Sequence, residues 1–245
     1  LTGRAGTGKT TFLKEFRESS HKRMVVVAPT GVAAINAGGV TIHSFFQLPF
    51  GVWLPGLQRE QKEVRRFSKH KIAIIRSLDL LVIDEISMVR ADLLDSIDEV
   101  MRRYRDHDKP FGGVQLLMIG DMQQLAPVVK DDEWAVLRNH YASPYFFSSH
   151  ALGATPYSCI ELQHICRQKD ADFRGMLAQV RDGRVSRETL EALNERYQPN
   201  FDPSQSEGYI TLCSNNSTAR SINDERLAVI DEPEYYSFIC QTTEP

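Results

Sequence analysis

The stretch Gly3–Thr11, GRAGTGKTT, limits the architecture more than any other part of the chain. Gly3-x-x-x-x-Gly8-Lys9-Thr10 has the spacing of a phosphate-binding loop. Each residue type has a chemical reason. Backbone N–H groups from Gly3, Ala5, Gly6, Thr7, Gly8, Lys9, Thr10 and Thr11 can turn inward around a polyphosphate, and glycines keep Cβ atoms out of the way. Lys9 can reach the outer phosphates as a point charge, and the Thr10 hydroxyl can ligate Mg²⁺. A helix starting at Lys9 would aim its N-terminal dipole at the anion. A chance match in a chain of this length has odds on the order of one per cent. The flanks also fit. Leu1-Thr2 reads as a strand end, and 9–20 reads as a helix with Phe12, Leu13 and Phe16 on one face. Such a loop implies nucleotide binding but leaves the nucleotide and its fate open.

Two further stretches point from binding toward hydrolysis. Leu80–Ile83 is an apolar strand that delivers Asp84 and Glu85 at its C-terminal end, where ligands bind in open α/β sheets. Asp84 is placed to hold Mg²⁺ and Glu85 to activate a water as general base. Acids often end strands, but a phosphate loop on the same sheet favours the functional reading. Gly120–Pro127, GDMQQLAP, is a polar turn at the same edge, and Gln124 could sense a γ-phosphate there. Arg167 lies between a strand and a helix near the expected domain junction. It could stabilise charge on a transferring phosphoryl group, and a plain surface arginine is an equal reading.

Composition is that of an ordinary globular chain: 245 residues, 42% hydrophobic and 25% charged. Net charge is −3, so the whole chain does not advertise nucleic acid. The segment 59–76 is locally basic, and a solvated helix face explains that equally well. Cys159, Cys166, Cys213 and Cys240 lack metal-ligand spacing and read as reduced thiols of a cytosolic protein. No apolar run approaches a membrane span, and no signal peptide is visible. Leu1 is not an initiator Met and would lie within a strand's last residues, so a fragment or a trimmed N-terminus is expected.

Strand, loop and helix alternate, which predicts a parallel sheet wrapped by helices. The pattern predicts strands at 24–28, 80–83, 114–119, 158–162 and 209–213. It predicts short helices from Gly31 to Gly38-Gly39 and near 41–44, and longer ones at 58–77, 91–104, 170–182, 187–197 and 216–230. Residues 46–78 read as an insertion, with Leu48–Gly56 as loop. The expected division is a first lobe over 1–182 and an incomplete second unit over 183–245.

GRAGTGKTT, APTGVAAINAGGVTIHSFF, VIDEISMV, GDMQQLAPV and ELQHICRQKDADFRGMLAQVRDG occur here in one order. Together they resemble the PIF-type DNA helicases of superfamily 1, over about residues 1–225, with RecD-like and Dda-like helicases as similar relatives. The resemblance implies a P-loop α/β fold of two RecA-like lobes that binds ATP and Mg²⁺. It implies a motor moving 5′→3′ on single-stranded DNA and opening duplex or G-quadruplex at ss/ds junctions. By carry-over, Lys9, Glu85, Gln124 and Arg167 serve catalysis, and Thr10 and Asp84 hold the metal. Thr30, Gly31, His43 and Ser44 would touch the DNA backbone, and Pro127 would lie near the strand. For His43, a core histidine bonded to a carbonyl is an equal reading. Phe50, Trp53 and Leu54 are candidates to stack on a base at the fork, against plain packing on the lobe. The family's adenine-reading glutamine and late second-lobe motifs are missing here, so this stretch alone is expected to bind nucleotide weakly and unwind little or nothing. A monomer that is cytoplasmic, or nucleoid-associated in a bacterium, is the family expectation. A nucleotide-gated DNA-binding module and a non-motor P-loop kinase are the competing readings.

Overall fold

The computed structural model describes residues 1–54, 67–201 and 209–229. The chain divides into two compact units, 1–183 and 184–245. In the first unit β1 (Thr2–Gly3) leads into α1 (Lys9–Ser19), followed by β2 (Met24–Ala28), α2 (Gly31–Asn36), β3 (Val40–Thr41) and α3 (Ile42–Phe46). Next come α4 (Lys69–Ser77), β4 (Leu80–Ile83), α5 (Ala91–Tyr104), β5 (Gln115–Met118) and α6 (Asp131–Leu137). The unit closes with α7 (His150–Gly153), β6 (Glu161–Leu162) and α8 (Ala171–Arg181).

Among the described residues all strand pairs are parallel. One ladder runs β3-β2-β4-β5 and a second pairs β1 with β6. The two are joined where Thr2 bridges Gly120, where the Leu1 amine donates to Met118 O (2.8 Å) and where Gly120 N–H donates to Leu1 O (3.2 Å). Because the strands are parallel, the C-terminal ends of β1, β2, β4, β5 and β6 all open onto one edge.

Strand alternation splits the core between the two faces of the sheet. Val27, Leu81 and Ile83 join Ile42, Ile75, Leu94, Ile97 and Met101 on one side. Val26, Leu80 and Val82 join Leu13, Ala37 and Ile119 on the other. All four residues of β4 are buried, as a central parallel strand requires. On α5, Leu94, Ile97 and Met101 are fully buried, each stabilising by about 1.5–3 kcal/mol relative to exposure. Several helix starts follow the side-chain capping rule, whereas α1 and α5 begin without a side-chain cap. Thr30 Oγ1 accepts from Ala33 N, Thr41 Oγ1 from Ser44 N, Ser68 Oγ from Lys71 N, and Asp170 from Asp172 N and Phe173 N.

Several expected elements differ in extent. The helix expected over 58–77 is described as α4 over Lys69–Ser77, and residues 55–66 lie outside the described residues. α4 is no appendage, because Ile75, with Ile72 and Ile74, packs into the main core. The strand at 114–119 shortens to Gln115–Met118 and the one at 158–162 to Glu161–Leu162. The small helices α6 and α7 carry too few turns to leave a periodic signal in the sequence.

In the second unit, α9 (Arg187–Asn194) and α10 (Asn216–Ala228) are helices capped by Ser186 and Asn215. The strand expected at Tyr209–Cys213 is not formed. Among the described residues nothing pairs with it, and Ile210 and Leu212 are 87% and 94% exposed. A strand exists only through a partner's hydrogen bonds, and an apolar pattern does not supply one. Cys240 lies outside the described residues, and Cys159, Cys166 and Cys213 are free thiols. Among the described residues, no helix is long and apolar enough to cross a membrane.

Candidate nucleotide site and DNA-facing surface

The phosphate-loop spacing folds as a turn between β1 and α1. Thr7 N–H and Oγ1 both donate to Arg4 O, at 3.3 and 2.9 Å, closing the loop on itself. Lys9, the first residue of α1, donates from Nζ to Gly3 O (2.6 Å) and Arg4 O (3.2 Å), so its ammonium lies across the loop it serves. Thr10 is exposed on the first turn of α1.

Opposite this loop, Asp84 follows β4 directly and is buried, with its N–H donating to Val27 O (2.9 Å). Asp84 Oδ1 accepts the N–H of Glu85 (3.0 Å). Glu85 sits at φ 51°, in the left-handed region that side chains other than glycine's rarely adopt, and such strain gathers at functional sites. Ile86 N–H donates to Ile119 O (2.9 Å), which seats the acidic turn against the Gly120-Asp121 turn that follows β5.

The charges answer one another. Burial draws the Lys9 pKa below the ordinary lysine value, against the pull of Asp121, Glu85 and Asp84. Burial raises Asp84, and burial together with the Asp84 charge raises Glu85. Burial also presses Asp121 upward, but bonds from Arg181 and Gln123 outweigh it and hold that carboxyl below its usual value. A lysine facing three carboxylates beside a loop of backbone N–H groups is a donor set suited to a polyphosphate and a divalent cation. Among the described residues no three His, Cys, Asp or Glu side chains form a metal cage. A Mg²⁺ held by one hydroxyl, one carboxylate, phosphate and water needs none.

Arg167 reaches the same loop from β6. Cys166 N–H (2.8 Å) and Arg167 N–H (3.2 Å) both donate to Gly6 O. Gly6 has φ +80°, and a Cβ there would come within 2.8 Å of Arg167 Cβ, so the close approach requires glycine. The Arg167 side chain is exposed. Gln124 Nε2 donates to Asp121 Oδ2 (3.2 Å) on the turn that follows β5. Two partners have no assigned role in the sequence motifs: Arg181, which forms a bidentate pair with Asp121, and Asp182, 3.8 Å from Arg4. Their signal is only an Arg-Asp pair at the end of a helix, and nothing in its spacing names a partner 60 residues away.

The residues expected to face DNA cluster in part. Thr30 and His43 line one cavity of about 290 Å³ with Phe50, Trp53, Arg90 and Asp92. Thr30 Oγ1 accepts the α2 cap bond and keeps its hydroxyl proton free to donate. Gly31 and Ser44 are exposed. His43 is half-buried and stacks on Phe50 (centroids 4.9 Å, 22°), so neither a plain core histidine nor a fully free one describes it. Burial and the Arg90 charge lower its pKa. Phe50 is 90% exposed. Trp53 N–H is tied to Asp92 Oδ2 (3.0 Å), and Leu54 packs beside Ala91, Leu137 and Tyr141, as loop packing on the lobe would have it. Pro127 is buried, so its ring offers no surface, whereas Leu125 and Val128 beside it are 70% and 80% exposed.

This site has close relatives. The PIF1-like helicase family model matches residues 1–191. The chain is 34% identical over 211 residues to the ATP-dependent DNA helicase PIF1 of Emericella nidulans, covering 81% of this chain and 26% of that protein. It is 32% identical over 241 residues to the ATP-dependent DNA helicase Pif1 of Bdellovibrio bacteriovorus, covering 96% and 50%. The crystal structure of Pif1 helicase from Bacteroides in complex with ADP-AlF3 and ssDNA superposes with a TM-score of 0.86 at 41% identity, covering 94% of this chain and 53% of that one. The chain thus spans about half the length of its bacterial relatives and about a quarter of the fungal one. A parallel α/β fold of RecA-like type, a phosphate loop facing an acidic strand end, and a family match over most of its length give one conclusion: the chain belongs to the PIF1-like helicase family.

Proposed function

We propose that the full-length protein is an ATP-dependent DNA helicase that moves 5′→3′ on single-stranded DNA and opens duplex at ss/ds junctions, with G-quadruplex as a further substrate. The observation that carries this reading is the convergence of Lys9, Asp84, Glu85 and the Asp121–Gln124 turn on one edge of a parallel sheet. The Thr30–His43 cavity follows the next strand of the same sheet and supports DNA binding beside the nucleotide edge. The polarity and the junction preference rest on the family resemblance.

In this reading the loop from Gly3 to Thr11 holds the phosphates through backbone N–H groups and Lys9 neutralises the outer ones. Thr10 and Asp84 would hold Mg²⁺, which would supply charge neutralisation on the phosphate oxygens. Glu85 accepts a proton from the attacking water. The environment that raises its pKa makes it a stronger base than an ordinary glutamate. Arg167, whose backbone N–H donates to Gly6 O, would meet charge developing on the transferred phosphoryl group.

Measuring ATP turnover of the full-length protein with and without single-stranded DNA tests this. Stimulation by DNA is expected. Lys9→Ala is expected to lose both nucleotide binding and turnover. Glu85→Gln is expected to bind ATP while turnover falls by about 10²–10⁴-fold, the range for losing a general base. Turnover indifferent to DNA would overturn the helicase reading. DNA-stimulated turnover without strand separation on a forked duplex would leave a nucleotide-gated DNA-binding module.

A further inference from the structure

We propose that Arg181 is a positioning residue for the nucleotide-sensing turn, acting on Gln124 through Asp121; this rests on the helicase reading above. Asp121 is 1% exposed, and both its carboxylate oxygens accept hydrogen bonds. Its Oδ1 accepts from Arg181 Nη2 (2.6 Å) and Gln123 N–H (3.1 Å). Its Oδ2 accepts from Arg181 Nη1 (2.8 Å) and Gln124 Nε2 (3.2 Å). The guanidinium therefore holds the same oxygen that holds the sensor side chain. A planar two-pronged donor fixes a carboxylate in rotation as well as position, which a single ammonium cannot do.

Arg181 is the last residue of α8, and the neighbouring Asp182 lies 3.8 Å from Arg4 of the phosphate loop. Two consecutive residues of opposite charge thus grip the sensor turn and the phosphate loop from one helix end. Gly183 follows at φ +66°, and it is the last residue of the first unit. The helix end that orders the nucleotide-sensing turn is also where the chain leaves that unit. Arg181, Arg4, Gln123 and Arg167 share the lining of a cavity of about 560 Å³, so the clasp stands at the rim of the nucleotide site. Without Arg181, Asp121 would be a buried carboxylate facing Glu85, with Lys9 as the cation opposite. The turn would relax to spread those charges, and Gln124 would lose its fixed acceptor.

The test uses the full-length protein with Arg181→Ala, Arg181→Lys, Gln124→Ala and the double variant Arg181→Ala/Gln124→Ala. DNA-stimulated kcat is expected to fall about tenfold or more in Arg181→Ala, with KM for ATP within about threefold, and to recover in part in Arg181→Lys. The double variant is expected to be no slower than Gln124→Ala alone, since both act through one contact. Hydrogen exchange at the Gln123 and Gln124 amides is expected to speed up in Arg181→Ala. An unchanged kcat, a double variant that loses both factors in full, or unchanged exchange each overturns the proposal. If Arg181→Ala does not fold, Arg181→Lys decides, and wild-type kcat and exchange there overturn it. If the unsubstituted protein shows no DNA-stimulated turnover, the helicase reading falls by itself. The exchange measurement still decides whether Arg181 orders the turn.

Discussion

Asp95 sits on the buried stripe of α5 and decides where a distant helix begins. Its carboxylate accepts from Ser149 Oγ, from His150 N–H (3.1 Å) and from Ala151 N–H (3.0 Å), the first donors of α7. Removing the acceptor leaves buried donors without partners. Asp95→Ala is therefore expected to cost about 3 kcal/mol, read by urea denaturation, with Asp95→Asn costing less because it keeps one acceptor oxygen. A loss within experimental error would mean that α7 is held by its apolar contacts alone. At the cavity proposed to face DNA, Phe50 is the exposed half of the His43 stack. Phe50→Ala is expected to weaken single-stranded DNA binding by about 1–3 kcal/mol, the worth of one stacked base, while nucleotide binding stays unchanged. Lys9, Glu85 and Gln124 were legible because a nine-residue loop and two strand ends carry them. Their environment was not, since the Asp121–Arg181 pair joins residues 60 apart.

At the scale of elements, close backbone approach sets two limits. Gly39 lies where β2 and β3 pair, and a Cβ there would come within 2.3 Å of Val26 O. Gly39→Ala must push the strands apart and is expected to cost about 1–3 kcal/mol, the range for overpacking, read as a lowered Tm. The start of β4 is held differently. Asp79 accepts from Arg23 N–H, Nε and Nη2, at 3.0, 2.9 and 2.7 Å. Those bonds hold its carboxyl well below the usual aspartate value. A depressed folded pKa stabilises above the unfolded value of about 3.9 and is lost as pH falls through the folded one. Wild type is thus expected to be more stable than Asp79→Asn at neutral pH, with the gap closing below about pH 4. A gap that stayed constant with pH would show that the bonds, and not the charge, matter. β4 and α5 could be read residue for residue, β4 from its unbroken apolar run and α5 from its helical apolar stripe. α6 and α7 could not, because seven and four residues hold too little period to be seen.

At the scale of the whole molecule, every residue of the proposed nucleotide edge, from Gly3 to Arg181, falls within the first compact unit. A chain ending at Gly183 is therefore expected to keep nucleotide binding within about tenfold of the longer chain, measured by titration calorimetry. Loss of binding beyond that would show that residues past 183 complete the site. Coupling of nucleotide to DNA is a different matter, since two lobes closing around ATP is what a translocating motor requires.

The sequence alone determined the phosphate loop, the buried acidic strand, the helix stripes and the order of the motifs, and with them the α/β class. Each is written in residues a few positions apart, where spacing, period and cap are local. Only the tertiary structure decided that β6 pairs with β1, which carries Arg167 onto Gly6. It also decided that Arg181 closes on Asp121, that His43 stacks on Phe50, and that Tyr209–Cys213 does not become a strand. Those outcomes depend on which groups the folded chain brings together, and for Asp121, buried against Arg181, an unpaired charge would be costly. Spacing along the chain does not encode that meeting.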